Sequence, residues 1–415
     1  NEPNFYAKMI GDQILNVAQA DSSDPYLQLS GSYPNNSKYV RVESIKSSPN
    51  FLAADGSVRV SQSATAHGLP EVGSGSYGGS FTGGHDGTGA PGWGPGGGKF
   101  MAPAWGNGGV AGEAKFFDKI VANNSQGLRL DGTNKTQGYN QYLTALRLLK
   151  NQDEYDINLI LLPGVIDSIH SGVVDTAIEI AEDRQDCFVV VDPVPYGTAT
   201  ISTVTGRANN RDSNYAAMYW PWVQVRDGQL NKDVWVPPSV VIGGVYAFND
   251  KVAHPWFAPA GLNRGGIDVA IQTERKLTHA NRDTLYDSNV NPIASFPAQG
   301  ICVWGQKTLQ QKASALDRVN VRRLLIKVKK FIAASSRFLV FEQNTVATRR
   351  RFLNIVNPYL ESVQANSGLN AFRVVMDETN NTPDTIDRNI MYGQIFVQPT
   401  RTAEFIVLDF TIQPT

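Results

Sequence analysis

Apolar positions along this chain repeat with two different periods, and the change between them marks its organisation. Tyr26-Leu-Gln-Leu-Ser30 and Tyr39-Val-Arg-Val-Glu43 alternate every second residue around the turn cluster Tyr33-Pro-Asn-Asn-Ser. Residues 1–61 therefore read as β-rich with one short helix. From residue 139 longer elements take over. Residues 142–149 are helical in pattern, and 157–162 are a buried strand closed by Pro163-Gly164. An amphipathic helix follows at 165–183, then a second buried strand at 188–191 ending in Asp192-Pro193. Strand, helix and strand with short connections make a βαβ unit, parallel and right-handed. Pro237 opens a helix through 240–248 at its first position. A short helix follows at 280–286, and 289–293 lead into the last part of the chain.

Residues 301–304 are an apolar run that predicts a strand turning at Gly305, and a long amphipathic helix comes next. At 100° per residue, Val321, Leu324, Leu325, Val328, Phe331 and Ile332 share one arc. Arg318, Arg322, Arg323, Lys327, Lys329 and Lys330 share the other, with no acidic residue between 318 and 330. Residues 338–341 read as a strand and 346–363 as a helix that Pro358 kinks. Strands are expected at 372–376, 390–398 and 404–413. The fold class is thus α/β and α+β in several domains. A β-rich N-terminal region spans 1–130, a central α/β domain with a mixed sheet and the βαβ unit spans 131–299, and an α+β domain spans 300–415.

Composition narrows the function classes. A chain of 415 residues with 41% hydrophobic and 18% charged residues lies in the globular range. Its net charge of −1 gives no overall attraction to nucleic acid, so an electrostatic partner must be sought in local patches. No apolar run has the length of a membrane-spanning helix and no signal peptide is evident, so no membrane insertion is expected. Cys187 and Cys302 sit in apolar runs and read as inert buried thiols, which suits assembly in a reducing cytoplasm. The chain begins at Asn1 rather than Met, and a processed or truncated product is expected.

Candidate chemistry is sparse. Residues 69–112 hold seventeen of the 38 glycines, interleaved with Phe81, Trp93, Phe100 and Trp105. Ordering so much glycine carries a large entropic cost, so an exposed loop or irregular insertion is expected. Within it, Gly94-Pro-Gly-Gly-Gly-Lys99-Phe100 hints at a phosphate loop. Phe100 stands where a Mg²⁺-binding hydroxyl is required, and no helix start follows. His67 and His85 with Asp86 lack a close second ligand. Asp192 ends a strand, where ligands bind in open α/β sheets. No glycine fingerprint follows it, and a capping carboxylate is the simpler reading. His170 and His279 read as structural, and the aromatic patch at 215–222 as core or subunit contact. No catalytic, cofactor or metal site is expected.

The one-signed helix face is less ordinary. Exposed helices usually mix charges, because like charges four apart repel. The face is either a solvated surface or a surface that meets an acidic partner. Arg349, Arg350 and Arg351 near the start of the next helix oppose its dipole and also suit an acidic partner.

Several segments carry a resemblance. Gly300-Ile-Cys-Val-Trp-Gly-Gln-Lys-Thr-Leu309, Asp317-Arg-Val-Asn-Val-Arg-Arg-Leu324 and Phe341-Glu-Gln-Asn344 resemble the C-terminal domain of contractile-tail sheath proteins, those of T4-like myophages most closely. So do Val374-Val-Met-Asp-Glu-Thr-Asn-Asn-Thr-Pro383, Ile386-Asp-Arg388 and Thr402-Ala-Glu-Phe-Ile-Val-Leu408. Asp183-Arg-Gln-Asp-Cys-Phe188, Pro259-Ala-Gly-Leu-Asn-Arg-Gly265 and Asp283-Thr-Leu-Tyr286 extend the series over about the last two-thirds of the chain.

That resemblance implies a structural subunit rather than an enzyme. It would form hexameric rings or a six-start helix around a tail tube, contract, and drive the tube through the host envelope for genome ejection. Partners would be further copies, the tube protein, and baseplate and terminator proteins. The expected place is the virion, after assembly in the host cytoplasm. Terminal arms would link copies by strand addition, and such sheaths carry an arm beyond Thr415. Arg318, Arg322, Arg323, Lys327, Lys330, Arg349, Arg350 and Arg351 are the expected tube-facing or inter-subunit residues. Reversing Arg322 and Arg323 is expected to weaken assembly and leave the monomer folded. The alternatives are the sheath of a non-viral contractile injection system and a nucleotide-binding α/β enzyme.

Overall fold

The computed structural model describes residues 5–20, 22–42 and 120–404, apart from 123, 127, 133–137, 198, 199 and 230. The glycine-rich stretch 69–112, His67, His85 and nearly all of the strand expected at 404–413 lie outside the described residues. Two compact units divide the chain. One takes residues 1–119, 126–129 and 133–151, and the other takes 120–125, 130–132 and 152–415.

In the first unit, helix α1 (Phe5–Ile10) precedes an antiparallel pair, β1 (Ile14–Ala18) and β2 (Tyr26–Ser30), registered from Ile14 opposite Ser30 to Ala18 opposite Tyr26. The partner of β2 is thus β1. The strand expected at 39–43 does not form among its described residues 39–42. Gly11 allows the turn between α1 and β1 at φ 104°, where a Cβ would meet the Asn35 backbone at 2.5 Å. Asn35 in turn brackets Gln13, accepting from its N–H at 3.1 Å and donating to its carbonyl at 2.9 Å. Helix α2 (Tyr139–Leu148) belongs to this unit, and its Thr144 hydroxyl donates to the Ala20 carbonyl at 3.1 Å.

The second unit is built on β3 (Leu159–Ile166), α3 (Ser171–Arg184), β4 (Phe188–Asp192), α4 (Ile201–Asn209) and β5 (Ala216–Trp220). A β6 (Val223–Asp227) and β7 (Lys232–Val236) hairpin, α5 (Pro238–Val252), β8 (Ala270–Thr273) and α6 (His279–Asp287) follow. Then come β9 (Val290–Phe296) and β10 (Gly300–Val303). The main sheet has the order β10-β9-β5-β4-β3, parallel except for β10, and β7-β6-β8 form a small antiparallel sheet. Every residue of β4 and β5 is buried. Side chains alternate between faces, so layers must cover the sheet on both sides, and these strands are apolar almost throughout.

Two elements differ from the pattern in the sequence. Strand β3 does not stop at Pro163-Gly164; a register shift carries it on to Ile166, and α3 starts only at Ser171. Gly164 takes φ 87°, and its carbonyl accepts from the Ser125 hydroxyl at 2.6 Å, so the irregularity is held from outside the sheet. The boundary expected at 299/300 falls inside the β9–β10 hairpin, because β10 completes the main sheet. Helix α2, after the boundary expected at 130/131, lies in the first unit.

The C-terminal part packs α7 (Val319–Ser336), α8 (Val346–Ala365), β11 (Leu369–Val375), the short α9 (Pro383–Asp387) and β12 (Gln394–Pro399). Leu324, Val328, Phe352, Val356, Leu360 and Val363 are the centre of its core, and Phe331 stacks on Tyr359 at 3.7 Å. Helix α8 runs on through Pro358. The strand expected at 338–341 is instead a three-residue helical turn, Arg337–Leu339, and a loop. Four apolar residues in a row suit a strand only if a neighbour offers a ladder, and none does among the described residues.

Asp192 caps a helix remote in sequence. Its carboxylate accepts from the Ser239 N–H at 2.9 Å and the Ser239 hydroxyl at 2.5 Å, in the first turn of α5. Burial nevertheless pushes this carboxyl up to about 7. An unfolded aspartate titrates near about 3.9. Between these pH values the folded chain holds a proton that the unfolded chain has lost, so this group's stabilising contribution falls as pH rises through that window. Asp192→Asn stays neutral, so its melting temperature should gain on the wild type as pH is raised from about 4 to about 7. A difference that stays constant with pH would mean that Asp192 is ionised throughout.

Candidate functional site

The expected cationic face of α7 is mostly clasped inside the chain. Arg323 is buried, stacks on Tyr246 at 4.5 Å and pairs with Asp250 at 2.6 Å, both on α5. Arg322, also buried, lies 4.1 Å over the Tyr215 ring and donates to Asn214. Burial lowers the pKa of this guanidinium, and the Tyr215 hydroxyl only partly offsets that. Arg318 pairs with Glu404 at 2.7 Å and Asp317 at 3.1 Å. Lys330 pairs with Asp156 and donates to the Ile157 carbonyl at 2.6 Å, while Lys329 donates to Gln185 at 2.9 Å.

The sequence projection missed this because a helical wheel shows only one helix. α7 is packed on two sides, by the central sheet's layer and by the C-terminal core, so half of its polar arc is also covered. Of the eight expected residues, Arg318, Arg322, Arg323 and Lys330 are engaged within the chain and Arg349 is buried. Lys327, Arg350 and Arg351 remain exposed. Arg322 and Arg323 are both buried and engaged, so their reversal is expected to disturb the fold, in contrast to the expectation drawn from the sequence.

Beside the start of α7 lies a cleft of about 580 Å³. Trp256, Phe257, Tyr286 and Trp304 give it aromatic walls, and Arg264, Arg282 and Arg401 line it as well. Its two carboxylates are already engaged. Glu404 accepts from Arg318 at 2.7 Å, Tyr286 at 2.7 Å and Gln306 at 3.0 Å. Burial alone would raise the Glu404 pKa, but these hydrogen bonds hold it below its ordinary range. Asp283 lies 2.8 Å from the His279 ring. Arg264 lies 5.1 Å over the Phe257 ring and Arg282 5.0 Å over the Phe296 ring, so the cleft presents aromatic surface and guanidinium groups with no ion-pair carboxylate among the described residues. Sequence reasoning did not assemble it, since its residues come from six separate segments between 256 and 404.

The other candidates have structural surroundings. His170 is buried and its Nδ1 accepts from the Ile166 N–H at 3.1 Å. Tyr215 to Trp222 lie in the core, and the Tyr219 and Tyr246 hydroxyls meet at 2.5 Å. Cys187 and Cys302 are free and buried, and burial pushes both thiols up to about 11. Among the described residues no helix is long and apolar enough to cross a membrane, and no cluster of three metal-ligating side chains occurs.

Two family models match in succession: the phage tail sheath protein central domain over residues 132–309 and the phage tail sheath C-terminal domain over 311–413. This chain belongs to the phage tail sheath family. It is 34% identical over 308 residues to the tail sheath protein of Vibrio phage KVP40, covering 68% of this chain and 46% of that protein. To the tail sheath protein of Enterobacteria phage T4 it is 34% identical over 261 residues, 59% of this chain and 40% of that one. The chain therefore spans less than half the length of these curated relatives. Its fold is similar to the contracted sheath complex of an extracellular contractile injection system (PVC), with TM-score 0.55 and 27% identity over 64% of this chain and 74% of that one.

In this sheath-family chain the Arg322 and Arg323 contacts cross between the two matched regions. The arginines lie in the C-terminal match, and Tyr215, Tyr246 and Asp250 lie in the central one. Removing one partner of such a pair leaves the other uncompensated, at about 3–5 kcal/mol when fully buried and less here because Asp250 is partly exposed. The double reversal Arg322→Glu/Arg323→Glu should lower the melting temperature sharply or prevent folding. Lys327→Glu should change stability by no more than about 0.5 kcal/mol. Thermal unfolding of both variants checks this, and equal melting temperatures would contradict the clasp.

Proposed function

We propose that this chain is a structural subunit of a contractile tail sheath, which polymerises around a tail tube and shortens to drive that tube through a host envelope. The observation that carries this reading is the ordered match of both sheath domains across residues 132–413. The similarity to a sheath in its contracted state supports it further. Contraction needs no nucleotide chemistry on this reading. Two packings of rigid subunits differ in free energy, and the passage from one to the other does the work.

The partners on this reading are further copies in hexameric rings or a six-start helix, the tube protein, and baseplate and terminator proteins. The subunit is assembled in the host cytoplasm and ends in the virion. The division between central and C-terminal domains is best placed near residue 310, after the β9–β10 hairpin. Of the cations expected to face the tube or a neighbouring copy, Lys327, Arg350 and Arg351 are the ones free to do so on one copy, because the others have partners or are buried within it. Such a contact weakens as salt screens it, since the Debye length shrinks to about 8 Å at physiological ionic strength.

Concentrated protein, alone and with tube protein, should form tubes or stacked rings in negative-stain electron microscopy. Lys327→Glu/Arg350→Glu/Arg351→Glu should keep the wild-type melting temperature and lose the tube-dependent part of assembly at low salt. Dispersed particles under all conditions would overturn the sheath reading. ATP or GTP should neither raise the melting temperature nor be hydrolysed, and either effect would favour an enzymatic module instead.

A further inference from the structure

Phe341 has no cover among the described residues. It is 103% exposed, and Phe338 and Val340 beside it are 83% and 59% exposed. The loop that carries them is nonetheless fixed. Leu339, between them, is buried in the C-terminal core. The Val340 N–H donates to the Arg337 carbonyl at 3.3 Å, and the Glu342 N–H to the Leu339 carbonyl at 3.2 Å. Phe341 itself has φ 69°, in a left-handed region that a bulky side chain avoids. A strained residue of this kind persists where its surroundings impose it, and such residues cluster where a protein binds something. The result is an aromatic tip, tethered through Leu339 and ending in the exposed Glu342. Contiguous apolar side chains held out in this way mark contact surfaces, unlike single exposed ones.

The same chain carries the complement. The cleft beside α7 has aromatic walls at Trp256, Phe257, Tyr286 and Trp304, and Arg264, Arg282 and Arg401 line it. Arg264 lies over Phe257 and Arg282 over Phe296, so Arg401 is the exposed cation of the three with no such stacking among the described residues. Its size suits a small group of side chains. Since Phe341 is fully exposed, the tip does not occupy the cleft of its own chain. We propose that the 338–342 tip of one copy seats in this cleft on a second copy. The two phenylalanines would lie against the aromatic walls and the Glu342 carboxylate against Arg401. Tip and cleft are different surfaces, so the contact is head-to-tail, and repetition gives a ring or an open helical filament rather than a closed dimer. This inference rests on the self-assembling reading above only in requiring repeated copies.

Thiol cross-linking tests the contact directly, because both native cysteines are buried. Phe341→Cys protein is mixed with Ala403→Cys protein, Ala403 lining the cleft, and oxidised at a concentration where wild-type protein pellets as polymer. The control partner is Val269→Cys, which is 65% exposed and belongs to neither surface. Several-fold more disulfide-linked dimer is expected with Ala403→Cys than with the control, and equal yields would overturn the proposal. Charge exchange gives a second readout. Glu342→Arg and Arg401→Glu should each reduce the pelleted polymer, and the combined variant should restore it. Polymer indifferent to Glu342→Arg would also overturn the proposal. Wild-type polymer with cross-linking only at the control level sinks this contact and leaves the sheath reading standing. Specific cross-linking without polymer does the reverse.

Discussion

A guanidinium taken out of water must find compensation, and α7 takes two of them into the body of the molecule. Arg323 finds a carboxylate at 2.6 Å and an aromatic face at 4.5 Å, and Arg322 finds an aromatic face at 4.1 Å. Those partners sit on the approach to β5 and on α5, so the requirement fixes where the C-terminal core can lie against the central sheet. Dispersion and area burial tolerate small slides, whereas a stacked and paired guanidinium tolerates few. The register of the C-terminal core on the sheet is therefore set by charge, although apolar burial supplies most of the stabilisation.

The chain between the two is held as firmly. After β10, the Thr308 N–H donates to the Asp317 carbonyl at 2.9 Å, the Leu309 N–H to the Ala216 carbonyl at 2.9 Å, and the Val319 N–H to the Gln306 carbonyl at 2.8 Å. Asn291 on β9 adds a bracket around Lys307, accepting from its N–H at 2.6 Å and donating to its carbonyl at 2.8 Å. Residues 304–319 thus form a laced connection. Arg318 at its end is tied to Glu404, so the segment after β12 is drawn back to the same place.

Much of the architecture was legible in the sequence because it rests on local pattern. The βαβ unit, the strand before Gly305 and the two long C-terminal helices all emerge from the periodicity of apolar residues. The failures share a different cause. Residues 338–341 have the composition of a strand, but Leu339 alone is buried, and a strand needs a neighbour that composition does not reveal. Pro163-Gly164 looks like a terminator, yet a contact from Ser125, 39 residues earlier, carries the strand through it. The site was less legible than the fold. Asp250 lies 73 residues before Arg323 and Glu404 lies 86 after Arg318, so a charge run that appears unbalanced along the chain is largely balanced in space. The resemblance in ordered segments identified the family, but it said nothing about which cations remain open.

The laced connection has a mechanical consequence. A load applied to the C-terminal core reaches the main sheet through several short hydrogen bonds and an ion pair acting in parallel, with no slack segment in series. If the proposed polymer shortens, such a subunit would store little elastic energy and act as a stiff lever. Compliance then has to reside in the seams between copies. Small changes in seam geometry would be passed on undiminished from one copy to the next, as in a train of gears.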